Sequence, residues 1–160
     1  MDRLIYMDNA ATTPVHPEVY EAMKPYFSEV YSNPSAVYTF AGKAGRAVDE
    51  ARRTIASVIN AKPEEVYFTA GGSESDNWAI IGAAECNCNK GKHIITTRIE
   101  HHAVLNTCKY LEKHGFEVTY LDVDKYGRVS PEDVENAIRP DTILISVMTA
   151  NNEIGSIQPI

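Results

Sequence analysis

Cysteine, tryptophan and long apolar runs are scarce in this chain. Its 160 residues hold three cysteines and one tryptophan. No apolar stretch approaches the roughly 18 residues that a membrane-spanning helix needs. An odd cysteine count argues against a disulfide framework. Cys86-Asn87-Cys88 is C-x-C rather than C-x-x-C, and no second pair follows, which argues against a metal knuckle. Positive charge is also in short supply. Fifteen Lys and Arg face 22 Asp and Glu, a net charge of -7, which disfavours nucleic acid or an anionic membrane as partner. The N-terminal MDRLIYMDNAATTP lacks the long apolar centre of a secretory signal, so export is not expected. There is no repeat, low-complexity tract or obvious linker. What remains is compatible with a cytoplasmic enzyme built on one real core.

The first sixty residues read as helical after an extended start. Residues 1–15 form an N-terminal extended segment, and 16–160 are read as one domain. Pro17 to about Val30 is predicted helical, with Pro17 in the first turn and Pro25 bending it. Gly42 to Asn60 is a longer helix with an apolar stripe of Val48, Ala51, Ile55, Val58 and Ile59. From Glu65 onward strands and helices alternate. Strands are expected at Val66–Thr69, His93–Thr97, Glu117–Leu121 and Thr142–Met148. Helices are expected from the glycine turn to about Ala84, over His102–His114 and over Pro131–Ile138. Ser130 caps the last helix, with Pro131 at N1 and Asp133 at N3. Cys108 shares a helical face with Val104, Leu105 and Leu111, which reads as core. Ile143-Leu144-Ile145 is continuously apolar, as in a strand covered on both faces. The alternation implies right-handed βαβ units and a mainly parallel sheet, so an α/β fold.

Ligands in such sheets bind beyond the carboxyl ends of the strands. The segments there are Gly71-Gly72-Ser73, Glu100-His101-His102, Asp122–Tyr126 and Asn151-Asn152-Glu153. Ser73 is placed at an N-cap, with Asp76 at N3. Amides at a helix start lack internal partners and together carry roughly half a positive charge, which suits a phosphate. The loop is neither G-x-G-x-x-G nor a P-loop, and a glycine turn that only caps a helix is the plainer alternative. His101 offers a flat ring, or a helix cap. Asn152 offers a donor and an acceptor, or a turn. A phosphate, a stacked heteroaromatic ring and a ring hydroxyl together describe pyridoxal 5'-phosphate.

The same residues carry a family resemblance. YMDNAATTPVHPEV (Tyr6–Val19), SNPSAVYTFAGKAGRAVDEAR (Ser32–Arg52), FTAGGSESDNWAI (Phe68–Ile80), KHIITTRIEHHAVLNT (Lys92–Thr107) and VMTANNEIGSIQPI (Val147–Ile160) occur in order. Together they resemble the N-terminal part of a cysteine desulfurase, in the class V branch of fold type I pyridoxal-phosphate enzymes. The resemblance implies a three-layer large domain with a mainly parallel sheet, incomplete here. It implies that Gly72 and Ser73 bind the cofactor phosphate. It also implies that His101 stacks on the pyridine ring and aids proton transfer, and that Asn152 lies near the ring hydroxyl and the substrate carboxylate. It implies L-cysteine as substrate, a sulfur-acceptor scaffold protein as partner, and a homodimer at full length. Two positions depart from the common pattern: Ala70 where many relatives have Ser, and Tyr38 where many have His.

In the family, the lysine that joins the cofactor lies in a Ser-His-Lys-type motif, and no such motif occurs in this chain. None of its cysteines matches the family's nucleophile. The chain is therefore expected to be a fragment that supplies part of a cofactor pocket, with exposed apolar surface where further strands would pack. Three alternatives stand beside this reading. One is another class V enzyme: a selenocysteine lyase, a desulfinase or an aminotransferase. The second is a non-catalytic truncated subunit that binds a partner. The third is a metal module using Glu100, His101, His102 and the C-x-C pair, which adjacent histidines pointing in different directions make a poor chelator.

Overall fold

The computed structural model describes residues 5–160. These fall into two compact units that divide between Phe68 and Thr69.

The first unit holds α1 (Pro17–Ser28) and α2 (Gly42–Val58), with 3₁₀ turns at Thr39–Ala41 and Pro63–Glu65. Pro17 begins α1 and Pro25 lies within it. Only Ala44 and Ala56 of α2 are buried. The expected apolar stripe is instead open: Ile55, Val58 and Ile59 are all exposed. After the Pro63 turn the backbone is extended at Val66, where a strand is predicted, yet no strand forms. The Val66 carbonyl is taken by the Arg52 guanidinium rather than by a ladder. That guanidinium also lies 4.9 Å from the Phe68 ring centre. β-branched and aromatic residues favour extended backbone, but a strand exists only where a neighbour supplies the ladder.

The second unit holds α3 (Gly72–Asn87), β1 (His93–Thr97), α4 (His102–Lys113), β2 (Glu117–Leu121), α5 (Pro131–Ala137) and β3 (Thr142–Ser146). The sheet order is β2-β1-β3, and both pairings are parallel. Each connection crosses through a helix, as a parallel sheet requires. Because side chains alternate along a strand, Ile94 and Ile95 feed separate cores. Ile94 packs with Ile80 and Ala84 of α3 and with Val104, Cys108 and Leu111 of α4. Ile95 packs with Leu121 and Val129, flanked by Val134 and Ala137 of α5. Helices on both faces make the three-layer α/β arrangement that was anticipated. Cys108 is fully buried, as its helical face predicts, and burial raises its thiol to a pKa of about 11.

All of β1 is buried, whereas β3 is only half covered and Ile145 is exposed. β3 carries the continuous apolar run, but β1 has a neighbour on each side and β3 has one among the described residues. Gly91, just before β1, fits a tight passage, since a Cβ there would fall 2.1 Å from the Asp141 carbonyl oxygen. Ser130 caps α5 as predicted, its hydroxyl accepting from the Asp133 amide, with Pro131 opening the helix.

One buried polar residue joins the three strands. His93 is fully buried; its Nδ1 lies 2.7 Å from the Thr142 hydroxyl and its Nε2 2.8 Å from that of Thr119. Burial lowers its pKa below the usual 6.5 and Arg139 lowers it further, against smaller opposing effects of Asp141 and Glu117. A base whose folded pKa is depressed binds fewer protons folded than unfolded, so stability is full above pH 6.5 and is lost as pH falls below it. The thermal midpoint is expected to drop between pH 7.5 and 5.5, and His93→Gln to flatten that slope. A wild-type midpoint that holds constant over this range would contradict it.

Candidate functional site

The carboxyl rim of the sheet gathers the predicted loops of the second unit. The glycine loop opens α3 differently from expectation. Gly71 is the N-cap, so Gly72 is N1, Ser73 is N2 and Glu74 is N3. The Glu74 carboxylate, at N3 where Asp76 was expected, accepts from the Ala70 amide at 2.7 Å, just before the cap. Thr69 and Ser75 hydroxyls meet at 2.6 Å across the turn. Serine is a strong N-cap former, but here the helix starts one residue before the first good capping side chain. The consequence favours an anion site, because the Gly72 and Ser73 amides have no acceptor within the helix. A Cβ at Gly71 or Gly72 would meet nothing within 4 Å, and Gly72 and Ser73 are both exposed.

His101 is the N-cap of α4, and its Nδ1 accepts from the Ala103 amide at 3.1 Å. The capping alternative is thus realised, with the ring still exposed. In a neutral ring an accepting Nδ1 places the proton on Nε2, a tautomer inferred from this hydrogen bond. The ring of His102 stands 6.4 Å away and tilted by 58°. Among the described residues no three His, Cys, Asp or Glu side chains converge as metal ligands would. Asn152 is exposed, and its amide donates to Glu153 at 3.2 Å.

The helices bring the first two segments to the same end. Asn77 of α3 meets the Thr107 hydroxyl of α4. α3 ends just before β1 and α4 just before β2, and these strands are parallel, so both helices end at the amino edge of the sheet and start at the opposite end. Each contact lies five residues into its helix, so Ser73 and His101 start from one end of the pair. The loops carrying His101 and Asn152 are hydrogen-bonded to each other. Met148 donates its amide to Glu100 Oε1 at 3.0 Å, and Asn151 Nδ2 donates to the Ile99 carbonyl at 2.9 Å. Glu100 and Asn151 are both buried. Sequence reasoning gave Asn151 no role beyond a turn and Glu100 only that of a metal ligand, although each stands directly beside a proposed ligand residue.

The β2 loop joins the same rim. Gln158 accepts from the Val129 amide at 2.9 Å and donates to the Gly127 carbonyl at 2.8 Å. The Ser156 hydroxyl donates to the Tyr126 carbonyl. Asp124 accepts from the Tyr126 and Arg128 amides, which hold its carboxyl below the usual range. Gly127, at φ 75°, takes the left-handed turn that glycine adopts without strain.

A sequence model of the family described as aminotransferase class-V matches residues 5–160. The chain belongs to the class-V aminotransferase family. Within that family it is 60% identical to the cysteine desulfurase IscS of Methanosarcina thermophila, over 99% of this chain and 39% of that protein. It is 56% identical to a cysteine desulfurase IscS of Clostridium botulinum, over 100% of this chain and 40% of the relative. Among solved structures, a NifS-like protein superposes with a TM-score of 0.90 at 42% identity, over 94% of this chain and 42% of the other. SspA, solved in complex with cysteine, gives 0.88 at 49% identity, over 94% of this chain and 43% of its own. The chain thus spans about 40% of the length of the curated relatives it matches.

Within this class-V rim, Gln158 is expected to matter for stability. Gln158→Ala leaves a buried amide and a carbonyl without partners. It should cost about 1–3 kcal/mol by urea denaturation, and a variant indistinguishable from wild type would show that these bonds contribute nothing.

Proposed function

We propose that this chain forms one side of the pyridoxal 5'-phosphate site of a cysteine desulfurase, with residues 16–160 belonging to the cofactor-binding large domain. What supports the reading is that the start of α3, with amides lacking intrahelical acceptors, and the hydrogen-bonded loops that carry an exposed imidazole and an exposed carboxamide lie at the same end of the second unit. The donor set fits the group. The Gly72 and Ser73 amides, without intrahelical acceptors, and the exposed Ser73 hydroxyl suit a phosphate dianion. The His101 ring supplies a flat surface for a heteroaromatic ring, and Asn152 a neutral hydrogen-bonding group for its hydroxyl.

When bound, the cofactor acts as an electron sink for the carbanion formed at the substrate α-carbon. His101 then holds a proton at Nε2 on its exposed side, while Nδ1 stays engaged by the Ala103 amide and fixes the ring. The overall reaction is L-cysteine plus an enzyme thiol giving L-alanine plus an enzyme persulfide. On this reading the intact protein is a cytoplasmic homodimer that passes the sulfur to an acceptor scaffold for iron–sulfur cluster or thio-cofactor assembly.

The cysteines of this chain do not supply that thiol. Cys108 is buried and its pKa of about 11 keeps it protonated near neutral pH. Cys86 and Cys88 are exposed at the far end of α3 from the rim. No lysine stands in a Ser-His-Lys context.

Two outcomes are expected of the 160-residue chain. Pyridoxine 5'-phosphate, which lacks the aldehyde and so cannot react with a lysine, should shift the amide resonances of Gly72, Ser73, His101 and Asn152. L-cysteine should release no sulfide above a cofactor-only control. Resonance shifts confined to other regions would overturn the site, and sulfide release would show that this chain's own residues do carry the covalent step.

A further inference from the structure

Two buried residues outside the proposed ligand contacts tie the loops of the rim in opposite directions. Glu100 belongs to the β1 loop and reaches into the β3 loop, where its Oε1 accepts from the Met148 amide at 3.0 Å. The same oxygen accepts from the Thr97 hydroxyl at 2.7 Å, which anchors it to the end of β1. Asn151 belongs to the β3 loop and reaches back, donating from Nδ2 to the Ile99 carbonyl at 2.9 Å. Its Oδ1 accepts from the Glu153 and Ile154 amides at 2.8 and 3.0 Å, which sets the turn holding Asn152. Each side chain is 7% exposed, so these bonds form away from competing water.

We infer that Glu100 and Asn151 form a reciprocal clasp that positions His101 and Asn152 toward one ligand. The inference rests on the site proposed above and adds the residues that hold it in register. Neither need touch the ligand. Glu100 is covalently next to His101, and Asn151 next to Asn152, so displacing either loop would move one ligand group relative to the other. An error of about 1 Å in such a pair is enough to degrade binding or chemistry. Buried polar residues that only satisfied their own loop would not need to cross to the other one.

Asn151→Asp tests the tie without removing the turn. It keeps the oxygen that accepts from Glu153 and Ile154 but sets an oxygen against the Ile99 carbonyl. Glu100→Ala removes the opposite tie, and Glu100→Gln keeps one accepting oxygen and should restore it. Amide hydrogen exchange on the 160-residue chain reads the coupling across loops. Asn151→Asp is expected to speed exchange of the Ala103 amide, which His101 caps, by about tenfold. Glu100→Ala should do the same for the Glu153 and Ile154 amides, and Glu100→Gln should stay near wild type. Loosening confined to the mutated loop would overturn the clasp. Should Glu100→Ala not fold, Asn151→Asp decides the matter alone. The Kd for pyridoxine 5'-phosphate should rise about tenfold in both severed variants. An unchanged Kd would overturn the positioning role even with coupled exchange. If wild type itself fails to bind this probe, the proposed site is wrong, while the exchange data still decide whether the two loops are clasped.

Discussion

Burial of the central strand is the constraint from which the second unit follows. β1 is covered on both faces and bonded on both edges, so every polar group it carries has to be met inside the protein. The backbone is met by β2 and β3. The side chains are met at its two ends by different devices. At the amino end His93 reaches a threonine on each neighbouring strand. At the carboxyl end Thr97 passes its hydroxyl to Glu100. The apolar residues between them, Ile94 and Ile95, divide the helices into two layers. Burying polar groups costs free energy unless every one is paired, and no buried side-chain nitrogen or oxygen among the described residues lacks a partner.

The candidate site inherits its order from this strand. Loops are normally the mobile part of such a domain. Here the β1, β2 and β3 loops are stitched together by Glu100, Asn151 and Gln158, each buried and each bonded beyond its own segment. The residues proposed to meet a ligand are exposed: Gly72, Ser73, His101 and Asn152. Buried supports beside exposed contact groups form a division of labour that suits a preorganised site. The first unit has a different character. Its helices bury few side chains, and large apolar residues such as Phe27, Val58 and Tyr67 are exposed.

Much of the architecture was legible from periodicity alone. β1, β2, α4 and the capped start of α5 stand within a residue of where the pattern placed them, because each combines a clear period with a turn or cap signal. Val66–Thr69 misled for a definable reason. Its composition is that of a strand, but pairing is not a property of a segment. The start of α3 misled because Ser73 is a better capping residue than Gly71, while the helix begins two residues earlier with Glu74 at N3. The stripe on α2 was read as apolar, and its Ile55, Val58 and Ile59 stand exposed.

The family was readable in the order of the motifs, since a glycine loop, a histidine and an asparagine keep their identity wherever the chain goes. Cys108 was readable as core because helix period and apolar neighbours both pointed inward. The supports at Glu100 and Asn151 were not readable. Glutamate and asparagine in loops are ordinarily solvated, and only the three-dimensional approach of the β1 and β3 loops turns them into buried ties. Local sequence determines which groups a segment can offer; which of those groups lose water and must find partners is decided when distant segments pack, because desolvation is a property of the assembled fold.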